Sequence, residues 1–158
     1  MIVSDSSPLI CFAAAGKLQL LEQLLKEIVV PEAVWLETTV QGKPGSEAIK
    51  TTQWVKRTSI KAQASASRLK EQLGAGESEA IVLAQELKAP LLMDDPAARR
   101  TAKELGVALL STKSILHEAK DAGLIAEIKG QLAELRNVGF RIGPRLYLRN
   151  LERAGEAP

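Results

Sequence analysis

Short apolar runs alternate along this chain with longer segments whose apolar positions recur every three to four residues. The short runs, Met1–Ser4, Glu27–Val30, Trp54–Thr58, Leu91–Met93 and Val107–Leu110, predict strands. The longer segments predict helices. Pro8–Ala15 is apolar on nearly every side and follows Ser6-Ser7, which can open a helix with proline in its first turn. Leu18–Leu25 carries a broad leucine face, and Pro31 opens a helix running to Val40. Glu47–Gln53 and the polar, alanine-rich Ala62–Gln72 come next. Gly74-Ala75-Gly76 then separates the latter from Glu77–Lys88. Pro96–Leu105 is a helix closed by Gly106, and after Ser111 only helices are predicted, roughly over 112–122, 125–137 and 144–154.

Strands alternating with helices predict an α/β fold, an α/β/α sandwich around a central parallel sheet with a helical C-terminal segment. Such sheets bind ligands beyond the carboxyl ends of their strands, where successive connections diverge to opposite faces. Asp5 follows the first predicted strand and the pair Asp94-Asp95 follows the fourth. These acids can therefore share one edge of the sheet although about 90 residues separate them in sequence.

At 158 residues with 46% apolar content the chain suits a single domain, 1–158, with enough apolar mass for a core. The net charge of +2 conceals an asymmetry. Residues 1–98 hold 10 bases and 12 acids, whereas residues 99–158 hold 11 and 7. From Arg136 to Arg153 five arginines stand against the single acid Glu152, so 136–158 reads as a basic helical extension, with Arg141, Arg145, Arg149 and Arg153 spaced every four residues. One cysteine, Cys11, and one histidine, His117, exclude an internal disulfide and leave too few ligands for a zinc site of the usual kind. Cys11 is expected as a small core residue and His117 on the surface. Without a visible signal peptide or an apolar run of about 20 residues, the expectation is a cytosolic protein with no membrane partner. Few aromatic residues, two Trp, one Tyr and two Phe, argue against recognition by base stacking.

Two more acids can join those at the strand ends. Glu37 lies late in the helix after the second strand, and Glu77 and Glu79 open the helix before the fourth. Each has an ordinary reading: Asp5 and Asp95 as helix caps, Glu77 and Glu79 as first-turn acids complementing the helix dipole, Glu37 as a solvated helix acid. If they converge instead, each raises the others' pKa until a cation neutralises them. An all-oxygen donor set selects Mg²⁺ or Mn²⁺, the ions that serve phosphodiester chemistry. Arg99 and Arg100, directly after the acidic pair, could face a phosphate.

In order along the chain, VSDSSPLICFAAAGKLQLL, VVPEAVWLE, GAGESEAIVLA and LLMDDPAARRTAKELGV resemble the PIN domain, and with the ending GFRIGPRLYLRNL a compact prokaryotic subfamily of it. The resemblance covers essentially the whole chain. It implies a Rossmann-like sandwich and metal-dependent cleavage of RNA. It implies Asp5, Glu37, Glu77 and Asp95 as the four acids, with Glu79 the other candidate for the third. Asp94 would support Asp95 as an outer ligand, and Ser6 or Ser7 would assist Asp5. The family more often has Asp at the third position, where this chain has Glu. The resemblance also implies the toxin role in a toxin–antitoxin pair, with RNA as substrate and a cognate antitoxin as partner. A homodimer is expected from the leucine and isoleucine content after Ser111. The competing expectation is a PIN-like protein that binds nucleic acid or a partner without cleaving.

Overall fold

The computed structural model describes residues 1–158. Five parallel strands form one sheet: β1 (Ile2–Ser4), β2 (Ile28–Val30), β3 (Val55–Arg57), β4 (Leu91–Leu92) and β5 (Leu109–Leu110). Their order is β3-β2-β1-β4-β5. The chain thus builds outward from β1 in one direction, crosses back, and builds outward from β4 in the other. Right-handed crossovers send the connections on the two sides of the β1/β4 pair to opposite faces, which leaves a crevice at that pair's carboxyl end.

Register carries the acids to the crevice. Val3 pairs with Leu91 and Ser4 with Leu92, and the Asp5 N–H donates to the Leu92 carbonyl at 2.9 Å. Residue 5 and the chain just past residue 92 therefore emerge side by side. The strands are apolar because both faces are covered: Val3, Val30, Leu91, Leu92 and Met93 are fully buried. Each such side chain contributes about 1.5–3 kcal/mol over the exposed state.

Ten helices surround the sheet: α1 (Ser6–Ala14), α2 (Leu18–Leu25), α3 (Glu32–Thr38), α4 (Ser46–Thr51), α5 (Gln63–Leu69), α6 (Ala75–Leu87), α7 (Pro96–Glu104), α8 (Thr112–Asp121), α9 (Lys129–Asn137) and α10 (Pro144–Arg153). The last three join the same core through Ile115, Leu132, Leu135 and Leu151. No helix is long and apolar enough to cross a membrane.

Three differences from the sequence expectations have physical causes. The glycine pair that was expected to precede α6 lies partly inside it. Gly74 is the cap residue and Gly76 sits in the first turn, with the Glu77 carboxylate returning to the Gly74 N–H at 3.0 Å. Helix α9 starts at Lys129 rather than near 125, because Glu156 reaches back from the C-terminus to the N–H groups of Ile128 (2.8 Å) and Lys129 (3.0 Å). His117 is buried, not on the surface: it is 7% exposed, and its Nε2 lies 2.9 Å from Asn150 Oδ1 on α10. A polar partner 33 residues away makes that burial affordable, and no local pattern announces it.

Candidate active site

Asp5 leaves β1 with extended backbone at the position that caps α1, yet its side chain makes no capping hydrogen bond. It is 3% exposed. Burial, the largest cause, raises its pKa from 3.8 to about 7; the Ser6 N–H works against this, and the charges of Glu77, Glu37 and Asp94 add to it. A buried carboxyl within electrostatic reach of three others, and not used as a cap, is costly for stability alone.

Glu37 is brought in by α3 and is not a solvated acid. Its Oε1 accepts the Gly76 N–H at 3.0 Å, and its Oε2 accepts from the Ser6 hydroxyl. The carboxylate rests on the first turn of α6, where free N–H groups and the helix dipole favour an anion. Only glycine allows this: a Cβ on residue 76 would stand 2.9 Å from the Glu37 carboxyl carbon. Gly76→Ala should therefore displace Glu37. Helix propensity favours Ala by up to about 1 kcal/mol, but displacing Glu37 breaks its charged hydrogen bonds to Gly76 and Ser6, at about 1.5–3 kcal/mol each. Net destabilisation in urea melts is the expected result.

Glu77 and Glu79 part company. Glu77 Oε1 accepts from Gly74 N at 3.0 Å, and this side chain is one of the charges acting on Asp5. Glu79 points to α3, accepting from Ala33 N at 3.0 Å and pairing with Lys70 at 3.1 Å. Its carboxylate joins the starts of two helices and is not among the charges acting on Asp5.

The adjacent pair also divides. Asp94 is half-buried and is held by Thr112, through the backbone N–H to Oδ1 at 2.8 Å and the hydroxyl to Oδ2 at 2.5 Å. Asp95 is exposed, and its Oδ2 caps α7 by accepting the Ala98 N–H at 2.9 Å. Of the two, Asp94 is the one whose charge reaches Asp5. Arg99 turns inward, donating to the carbonyls of Met93 (2.7 Å) and Leu110 (3.0 Å), and so ties the ends of β4 and β5 together. Arg100 is exposed, and Ser7 lines a groove beside the acids.

The crevice thus gathers Asp5, Glu37, Glu77 and Asp94, with Ser6 bonded to one of them. Gly76 and Thr112, which position Glu37 and Asp94, were not singled out from sequence. Their only signal lies in contacts across 39 and 18 residues. As the side chains stand, no three His, Cys, Asp or Glu residues gather closely enough to hold a metal ion.

An all-parallel sheet with acids at its switch point defines an α/β protein of the Rossmann-like, PIN-like class. The sequence model of a family described as DUF3368, a PIN domain, matches residues 1–156, and the chain belongs to the PIN domain family. PIN domains are typically nucleases and usually use divalent metals. Among solved structures, the chain is similar to a PilT N-terminus domain protein of the hyperthermophilic archaeon Sulfolobus solfataricus P2. The two are 26% identical with a TM-score of 0.51, over 75% of this chain and 93% of that one. No curated protein matches the sequence.

Proposed function

We propose that this protein is a Mg²⁺- or Mn²⁺-dependent endoribonuclease that hydrolyses RNA phosphodiester bonds at the β1/β4 crevice. The observation that carries this reading is Asp5, buried, unused as a cap, and within electrostatic reach of Glu37, Glu77 and Asp94.

The donor set fits the ion. All four groups are carboxylates, and Mg²⁺ is commonly held by one or two of them while keeping several waters. That mode does not require three acids in direct contact. Asp5 and Asp94 would hold the ion, with Glu37 and Glu77 facing its waters. A bound ion supplies an activated water and offsets charge on the phosphoryl oxygens. The chain's own contribution is positioning. Thr112 fixes both oxygens of Asp94, and Ser6 with Gly76 fixes both of Glu37. Glu77 Oε1 is held by Gly74, and its Oε2 is the oxygen left to take a proton from an attacking water. In this assignment Asp94 is the ligand and Asp95 the helix cap, whereas the resemblance implied Asp95 as the fourth acid with Asp94 supporting it. Glu77 is the third acid, and Glu79 joins α3 to α6.

Labelled single-stranded RNA should be cut in Mn²⁺ and left intact in EDTA. Cleavage that persists in EDTA overturns the metal mechanism. One observation favours the second reading, a PIN-like protein that binds without cleaving: the acids are not preassembled around an ion position. RNA that is bound but uncut in both Mg²⁺ and Mn²⁺ establishes it. Within the nuclease reading, the family resemblance supports the toxin role in a type II toxin–antitoxin pair. Growth arrest on expression, relieved by co-expressing a cognate antitoxin, is the corresponding test.

A further inference from the structure

Beside the acids opens a groove of about 970 Å³, lined by Ser7 of α1, by Asp94, by Lys113 at the start of α8, and by Arg136, Arg141 and Leu146 around the α9–α10 connection. Its three cations have no carboxylate partner. The four ion pairs of the fold are Lys17–Glu134, Arg57–Glu32, Lys70–Glu79 and Lys120–Glu156, and none involves the groove. Arg136 is nevertheless held in place: its guanidinium lies 4.3 Å from the centre of the Tyr147 ring, and one Nη donates to the Ile142 carbonyl at 3.4 Å. Such stacking fixes the group without neutralising it, leaving other N–H donors for an anion. Between Gly139 and Gly143 the connection also contributes Phe140 and Ile142 to that wall. Asp94 belongs both to this groove and to the acid cluster, so the two are continuous.

We propose that this groove is the track for the nucleic-acid backbone on one side of the scissile phosphate, with Lys113, Arg136 and Arg141 each contacting a phosphate. The inference rests on the nuclease reading of the acid cluster and deepens it. Unpaired, spaced cations beside a hydrolytic site suit a run of phosphates. Phe140, Ile142 and Leu146 also line it, and what favours a nucleic acid over a peptide is the three unpaired cations continuous with the acids.

The test uses the Asp5→Asn protein, so that substrate survives, and fluorescein-labelled 12-nucleotide oligo-U and oligo-dT, read by anisotropy across a salt series. Each phosphate contact to a single strand contributes about 0.7 to the slope of log K against log salt. Lys113→Gln and Arg141→Gln should each lower the slope by about that amount, and the triple variant with Arg136→Gln by about 2. Arg153→Gln, exposed on the last turn of α10 outside the groove, should leave it unchanged. Loss with oligo-U alone assigns the groove to RNA, and equal loss with both strands assigns it to the shared backbone. Groove variants that match Arg153→Gln, or a groove that binds polyglutamate better than either oligonucleotide, overturn the proposal. A wild-type protein that cleaves nothing while the groove variants lose slope removes the nuclease reading and leaves the groove. Mn²⁺-dependent cleavage with unchanged slopes does the reverse.

Discussion

Asp5→Asn should lose RNA cleavage by about 10²–10³-fold or more, the scale of removing one electrostatic contributor to a charged transition state, while the metal-free protein becomes more stable. The second half follows from the pKa. Because Asp5 titrates near 7 in the folded chain against an ordinary 3.8, the native state holds an extra proton between those values. Stability of the metal-free protein therefore falls as pH rises from about 4 to about 7. Three pKa units correspond to a penalty of up to about 4 kcal/mol at pH 8. Asparagine cannot ionise and escapes it. Thermal melts in EDTA at pH 4 and pH 8 should differ markedly for wild type and much less for the variant. Equal pH dependence in the two proteins would show that Asp5 is not the group under strain. Saturating Mn²⁺ should stabilise wild type at pH 8 more than the variant, since an ion that binds only the native state adds stability by mass action.

The adjacent acids should separate just as sharply. Asp94→Asn keeps a carbonyl for the Thr112 N–H and an amide for its hydroxyl, so the fold should survive with little loss of stability. Cleavage should nevertheless fall by about 10²-fold or more. Asp95→Ala removes the α7 cap and should cost about 1 kcal/mol in denaturant melts, with turnover retained once the protein is folded. Kinetics and melts of both variants decide the matter, and a silent Asp95→Ala enzyme that folds normally would restore Asp95 to the ligand set.

Why the sequence could nominate the crevice but not divide its acids is visible at single residues. Asp5 and Asp95 look alike locally, each following a strand and preceding a helix that contains a proline. Only in three dimensions does one cap its helix while the other stays buried and uncapped. Glu77 and Glu79 share a single helical turn, and which of them faces Asp5 depends on where α3 packs, since Ala33 of that helix captures Glu79. Glu37 had the most ordinary local reading and proves firmly held, because its partners are 31 and 39 residues away. Arg99 and His117 turn inward for the same kind of reason: carbonyls at two strand ends and an asparagine on α10 await them.

Periodicity, turn residues and composition by themselves determined the alternation of strands and helices, the placing of acids after the first and fourth strands, and the scarcity of Cys and His ligands. These depend on neighbours within a few positions, where backbone geometry and apolar spacing act directly. Strand order, the capture of individual carboxylates by Gly76, Ala33 and Thr112, and the opening of an unpaired basic groove beside Asp94 were decided by tertiary structure alone. Hydrogen bonding and burial operate between groups that the chain brings together only after it has folded.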